Sequence, residues 1–271
     1  MDCEHPHDLD TALAALADDP DATVLAGGTD VMVDLSFGHP HPSHVIALRR
    51  VAELTEWEGG RIGAGVTYRR LERGPVGALA QASRTVGSPQ IRNAGTIGGN
   101  VATASPAGDT LPVIAACDAA IEVASRGGGR RLVPWPEFFV GVKRTSLRPG
   151  ELVTAVVFPE EMPARHEFGK IGMRNAMVIS MVSACVTRAA DGATTVALGS
   201  VAPTPLRATM AEAMISARPD PDEATLAQFA RLVSDEVRPI TDHRGTEAYR
   251  RHASGVLARR LLERCLDGGG G

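Results

Sequence analysis

The stretch from residue 87 to residue 109 constrains this chain more than any other. It is rich in glycine and small polar residues, running Gly95-Thr96-Ile97-Gly98-Gly99-Asn100 and continuing to Ser105-Pro106-Ala107-Gly108-Asp109. A segment this long is not an idle connection in a compact domain and is expected to be functional. Paired glycines let backbone N–H groups converge on one point and let a bulky anion approach closely. A shorter run of the same kind, Ala26-Gly27-Gly28-Thr29-Asp30, follows a short apolar strand. Thr29, Thr96, Asn100, Thr103 and Ser105 add side-chain hydrogen-bond donors. Two such loops on one chain can hold a pyrophosphate from both sides. Neither is a G-x-G-x-x-G fingerprint or a P-loop, and Gly27-Gly28 alone could be a simple turn.

Around these loops the pattern mixes short helices and hairpins. Residues 8–17 read as a helix, since Leu9, Leu13 and Leu16 repeat near helical spacing and Thr11 and the aspartates can cap it. Residues 23–26 and 45–48 read as strands, 54–66 as a hairpin turning at Gly59-Gly60, and 75–86 as a helix with Pro75 in its first turn. Residues 111–117 read as a helix, 119–133 as a hairpin with Gly127-Gly128-Gly129 at its tip, and 152–158 as a strand. An acidic, Pro-bearing link at 159–163 marks a boundary. Beyond it, 167–174, 178–188 and 194–201 read as three strands, followed by helical sequence in three pieces to Leu266 and a fraying tail at 268–271. Alternation of strand and crossover helix is weak, so the fold class is α+β.

Composition narrows the function. The chain has 271 residues and a net charge of −4, which gives no bulk basic patch for nucleic acid. Aromatics are only 4%, so Ala, Val, Leu and Ile must build the core. The cysteines are Cys3, Cys117, Cys185 and Cys265, far apart and without a C-x-x-C, which argues against zinc or iron–sulfur ligation in this chain. No apolar run reaches the ~20 residues of a membrane span. The N-terminus Met1-Asp2-Cys3-Glu4-His5 lacks a signal-peptide pattern, and free thiols fit a reducing cytoplasm.

Both glycine-rich loops resemble those of the FAD-binding subunits of the xanthine dehydrogenase and carbon monoxide dehydrogenase group of molybdenum hydroxylases. The resemblance continues through Phe138-Phe139-Val140-Gly141 to Arg144-Thr145, through Gly199-Ser200-Val201-Ala202-Pro203-Thr204-Pro205-Leu206-Arg207-Ala208, and through Pro239-Ile240-Thr241-Asp242 to Arg244-Gly245-Thr246 and Tyr249-Arg250. It covers nearly the whole chain. It implies a PCMH-type (vanillyl-alcohol-oxidase-like) FAD-binding fold of two subdomains over residues 1–159. A C-terminal domain over 160–271 follows, a three-stranded antiparallel sheet with a helical bundle.

By the same resemblance, Leu25, Ala26, Gly27, Gly28, Thr29 and Asp30 wrap the FAD pyrophosphate, as do Thr96, Ile97, Gly98, Gly99 and Asn100. Thr103, Ser105 and Asp109 line the path from ribityl to ring, Asp109 at the flavin's polar edge, although Asp109 could also cap the helix after it. Leu147 falls where an apolar residue covers the ring. Lys170 matches a lysine beside the isoalloxazine, where a cation favours the reduced, anionic flavin. The position that carries an aromatic beside the ring in some relatives is Val86 here.

The implied chemistry is electron relay. Electrons from substrate hydroxylation at a molybdopterin subunit pass through [2Fe–2S] clusters on an iron–sulfur subunit to FAD on this chain. They then reach NAD⁺, a quinone or O₂, in an (αβγ)₂ assembly of the xanthine, CO, aldehyde or N-heterocycle dehydrogenase type. The rivals are a stand-alone FAD-dependent reductase of the same broad fold, which would need a proton donor beside the ring, and a scaffold protein that has lost flavin.

Two other features invite a reading. His39-Pro40-His41-Pro42-Ser43-His44 reads as an exposed loop, with metal binding as the alternative. On the last helix Leu257, Leu261, Leu262 and Cys265 form a core stripe. Arg250, Arg251, Arg259, Arg260 and Arg264 form a basic face that is either solvated or a docking surface for an acidic partner.

Overall fold

A computed structural model describes residues 2–268; the tail from 269 onward lies outside the described residues. The first unit is a small parallel sheet. Strands β1 (Asp2–Glu4), β2 (Thr23–Leu25) and β3 (His44–Ala47) pair in the order β1-β3-β2, with helices α1 (Leu9–Asp18) and α2 (Val31–Ser36) as crossovers. Asp8 caps α1 by accepting from the Thr11 N–H at 2.7 Å. The Leu9, Leu13 and Leu16 face is buried as its spacing requires. The His-Pro loop follows α2, and its last histidine becomes structural. His44 Nδ1 lies 2.9 Å from Asp19 and Nε2 3.0 Å from Glu4, tying β3 to β1 and to the end of α1. No group of three potential metal ligands occurs among the described residues.

The Asp19 hydrogen bond, helped by Glu4 and opposed by partial burial, raises the His44 pKa above its ordinary value. A folded pKa above the unfolded one stabilises the protein fully below about 6.5 and loses that contribution as pH rises through the folded value. The expected result is a melting temperature that falls through this window and a flatter profile in His44→Asn. Parallel profiles for the two proteins would reject the link.

The second unit is a five-stranded antiparallel sheet interrupted by the glycine-rich segment. Its strands β4 (Trp57–Glu58), β5 (Arg61–Gly63), β6 (Ala120–Ser125), β7 (Gly129–Pro134) and β10 (Glu151–Val157) run in the order β4-β5-β10-β6-β7. Between β5 and β6 lie α3 (Tyr68–Leu71), α4 (Gly77–Thr85), α5 (Pro89–Ala94), α6 (Ile97–Thr103) and α7 (Leu111–Ala116). Between β7 and β10 come α8 (Trp135–Phe138) and the two-stranded ribbon of β8 (Phe139–Gly141) and β9 (Arg144–Thr145).

The sequence-read hairpin at 54–66 is shorter than expected because Leu54 sits in a 3₁₀ turn, and Pro75 precedes the helix rather than opening it. The larger difference is the 87–109 stretch, which is not one loop. Ser88 and Pro89 start α5, and Thr96 starts α6 by accepting from the Gly99 N–H at 3.0 Å. Gly98, Gly99 and Asn100 are therefore the first turn of a helix.

The C-terminal sheet contains β11 (Arg165–Ile171), β12 (Val182–Arg188) and β13 (Thr194–Gly199), antiparallel and in sequence order. A two-residue β14 (Leu206–Arg207) extends it at the β13 edge. Helices α9 (Thr209–Ser216), α10 (Glu223–Glu236) and α11 (Glu247–Leu266) cover one face. Leu257, Leu261, Leu262 and Cys265 are buried there, as their stripe required.

The basic face of α11 is largely paired within the chain: Arg251 with Glu247, Arg259 with Glu223 and Glu263, Arg264 with Glu167 at 3.9 Å. Arg250 is buried, bonded to Asp242 at 2.7 Å and to the carbonyls of Met181 and Ser200. Burial would raise the Asp242 carboxyl, but the Arg244 and Gly245 N–H groups and the Arg250 guanidinium hold it far below the usual range. That pair, with Arg250 buried and Asp242 half-buried, fastens α11 to the ends of β12 and β13.

The two halves meet at α7. Its last carbonyls would otherwise lack partners. Arg207 Nη1 reaches Ala115 O at 3.1 Å, and Thr195 Oγ1 reaches Ala116 O at 2.6 Å. On the other side Gln81 of α4 accepts from the Phe168 N–H at 2.7 Å, laying α4 along the edge strand β11. In β11, residues two apart share a face. Phe168 faces the N-terminal core, so Lys170 points the same way.

Candidate functional site

Where the three units meet, a cavity of about 1140 Å³ opens. It exceeds the ~300–1,000 Å³ of ordinary small-molecule sites, as an extended dinucleotide requires. Its wall contains Ala26, Gly27, Gly28, Thr29 and Asp30 from one loop, and Thr96, Gly98, Gly99, Asn100, Thr103, Ser105 and Asp109 from the other, with Leu147 and Lys170. Val86 is there too. Two residues of the expected set lie behind the wall. Leu25 ends β2, and Ile97 is fully buried with its N–H on Val66 O.

Sterics explain why glycine stands where the segments touch. A Cβ on Gly27 would lie 2.0 Å from Ala94 O, and one on Gly98 would lie 2.4 Å from the Cβ of Ala64. Those two glycines let the segments pack. Gly99 differs: a Cβ there would meet only Thr96 Oγ1, at 3.2 Å, and otherwise opens on the cavity. Gly28 has φ of +71°, the left-handed region that glycine enters without cost.

Several of the expected donors accept hydrogen bonds within the protein, which leaves their own O–H or N–H groups free to donate. Thr96 caps α6, the Asn100 side-chain oxygen accepts from Thr110, and the Ser105 hydroxyl accepts from the Ala107 N–H at 3.3 Å. Thr103 Oγ1 lies 3.4 Å from Asp30. Thr29 has no side-chain hydrogen bond among the described residues.

The charged centre is the pair Lys170–Asp109. Nζ lies 2.6 Å from Oδ2, and the side chains are 7% and 6% exposed. Nζ also donates to Thr85 O at 3.3 Å, and Thr85 Oγ1 approaches Asp109 Oδ2 at 3.3 Å. Burial pushes the Asp109 carboxyl up, while the Lys170 charge and hydrogen bond pull against it. The capping alternative for Asp109 is not realised, since α7 has no side-chain cap. Asp109 Oδ1 is left buried without a partner. That oxygen is closed from solvent, so a ligand in the cavity meets the pair through Lys170, which has one N–H left for a ligand oxygen after donating to Asp109 and Thr85. The remaining Lys170 donor, the open face of Gly99 and the cavity's size fit FAD.

Sequence reasoning did not single out Tyr68, Arg49, Met177, Val178 and Ile179, which also line the cavity. They come from a short helix, a 3₁₀ turn and a strand connection, none of which carries a motif.

This geometry defines a nucleotide-cofactor protein whose cradle is shared between an α+β binding half and a sheet-and-helix cap. Family comparisons agree along the chain. Residues 1–161 match the FAD binding domain in molybdopterin dehydrogenase, and residues 168–265 match the CO dehydrogenase flavoprotein C-terminal domain. The xanthine dehydrogenase FAD-binding subunit of Escherichia coli O157:H7 is 31% identical, covering 97% of this chain and 95% of that protein. The carbon monoxide dehydrogenase medium chain of Afipia carboxidovorans is 30% identical over 97% and 96%. Among solved structures, quinoline 2-oxidoreductase from Pseudomonas putida 86 superposes with a TM-score of 0.91 at 29% identity, covering 99% of this chain and 98% of that one. The chain belongs to the FAD-binding subunits of the xanthine dehydrogenase and carbon monoxide dehydrogenase family of molybdenum hydroxylases.

Proposed function

We propose that this chain binds FAD in the cavity described above and relays electrons. It takes them from [2Fe–2S] clusters of an iron–sulfur subunit, in an assembly with a molybdopterin subunit, and delivers them to NAD⁺, a quinone or O₂. Bound FAD supplies the two-electron redox chemistry. The observation that carries this reading is the dinucleotide-sized cavity ringed by both glycine-rich segments, with Lys170 on its wall.

In this reading residues 26–30 and 96–100 take the pyrophosphate, with Leu25 and Ile97 holding them from behind. Thr103, Ser105 and Asp109 follow the linker to the ring, Leu147 covers the ring, and Lys170 favours its reduced, anionic form. The binding portion ends near residue 159 and the C-terminal domain follows. Among the described residues no helix is long and apolar enough to cross a membrane, and the cysteines are unpaired. A cytoplasmic (αβγ)₂ complex fits these features.

The stand-alone reductase alternative would need a proton donor at the ring. The charged pair there is Lys170–Asp109, locked together at 2.6 Å. The direct test is an absorption spectrum of the purified chain followed by chromatography of the released cofactor. Flavin bands with FAD as the released species are expected. A colourless protein that takes up no added FAD would reject the reading.

A further inference from the structure

Tyr68 has no part in the site as read so far. It opens α3, and its backbone N–H bonds Gly95 O at 3.0 Å, just ahead of the 96–100 turn. Its ring fills the space beside Gly95, where a Cβ would lie 2.9 Å from Cε2. The residue is only 5% exposed and lies on the cavity wall. Its hydroxyl forms no hydrogen bond among the described residues, and it is not among the buried polar atoms sealed from solvent without a partner. The accessible remnant of this side chain therefore opens on the cavity. A phenol in so dry a place normally finds a partner.

We propose that Tyr68 is a cofactor-binding residue whose hydroxyl donates a hydrogen bond to an oxygen of the ribityl–pyrophosphate linker of FAD. The inference rests on the FAD reading of the cavity. Its chemistry complements the other polar groups on the wall. Asp30 and Asp109 are acceptors when ionised and cannot donate to a phosphate oxygen, whereas a phenol can. Burial, with the charges of Asp109 and Asp30, keeps the phenol protonated far above its ordinary range, so it remains a donor at any working pH.

Tyr68→Phe removes one oxygen and keeps the ring that packs beside Gly95. The full chain, stripped of cofactor, is titrated with FAD and followed by flavin fluorescence, alongside melting of the cofactor-free protein. The expected result is an FAD Kd raised about tenfold or more, with the melting temperature of the cofactor-free protein unchanged. An affinity within about twofold of the unaltered chain would overturn the inference. So would an affinity loss matched by an equal loss of stability without cofactor, which would assign Tyr68 to the fold alone. No FAD binding by the unaltered chain would overturn the FAD reading itself, and this inference with it.

Discussion

Gly99→Val is expected to abolish FAD retention while leaving the protein folded. Beyond its chain neighbours and its own helix backbone, the new Cβ meets only Thr96 Oγ1, at 3.2 Å, and the valine methyls extend into the cavity. Valine is no worse than glycine in a helix turn, so intrinsic propensity does not oppose the change. The cost falls on the ligand, because a branched side chain takes up cavity space against the α6 first turn, where the FAD reading puts the pyrophosphate. FAD affinity should fall at least ~100-fold, about 2.8 kcal/mol. Gly98→Ala is the control. Its Cβ would lie 2.4 Å from the Ala64 Cβ and 2.7 Å from Ala64 O, so it should destabilise the fold itself by about 1–3 kcal/mol through overpacking. Melting without cofactor and the flavin-to-protein ratio separate the two. Stoichiometric flavin in purified Gly99→Val would remove the pyrophosphate from this turn.

Lys170→Met carries the second large effect. It leaves Asp109, 6% exposed, with only the Thr85 hydroxyl. Removing one partner of a buried pair costs about 3–5 kcal/mol because the remaining charge is uncompensated. The pH dependence follows from the raised Asp109 carboxyl. With Lys170 gone the folded-state pKa rises further above the unfolded ~3.9, so the folded state binds the extra proton. The destabilisation is small in acid, grows as pH rises from the ordinary carboxylate range to the raised folded value, and is complete above it. Lys170→Met/Asp109→Asn should recover most of the loss at neutral pH. Removing the cation should also lower the flavin potential, read by spectroelectrochemistry. Equal stability of the single and double variants across pH, with an unchanged potential, would dismiss the pair as a structural and redox element.

The glycine-rich part of the candidate site was legible in the sequence because its contacts are backbone contacts. Gly27-Gly28 and Gly98-Gly99 announce themselves: no other residue permits the 2.0 Å and 2.4 Å approaches that a Cβ would create at Gly27 and Gly98. The same holds for the buried stripe of α11, which helical spacing alone predicts. Tyr68, Arg49 and residues 177–179 were not legible, because a side chain's presence on a cavity wall depends on elements brought in from elsewhere. What the polar side chains accept was not legible for the same reason. A sequence counts Thr96, Asn100 and Ser105 as donors, and only packing reveals that the oxygen of each also accepts from a neighbour while its own O–H or N–H groups stay free. The basic face of α11 follows this rule too, since the carboxylates that pair it include Glu223 and Glu167 from other elements.

The resemblance pointed to Asp109 and Lys170; the sequence by itself determined that the chain mixes short strands and helices and that two glycine-rich segments interrupt them. These follow from local rules: periodicity, capping and the steric freedom of glycine. Only the tertiary structure decided that the long segment breaks into two short helices, that Asp109 binds Lys170 instead of capping α7, and that its second oxygen is left without a partner. The two residues are sixty-one positions apart. Their meeting depends on α4 docking along β11 and on Arg207 and Thr195 holding the end of α7, contacts between distant parts of the chain that no local pattern encodes.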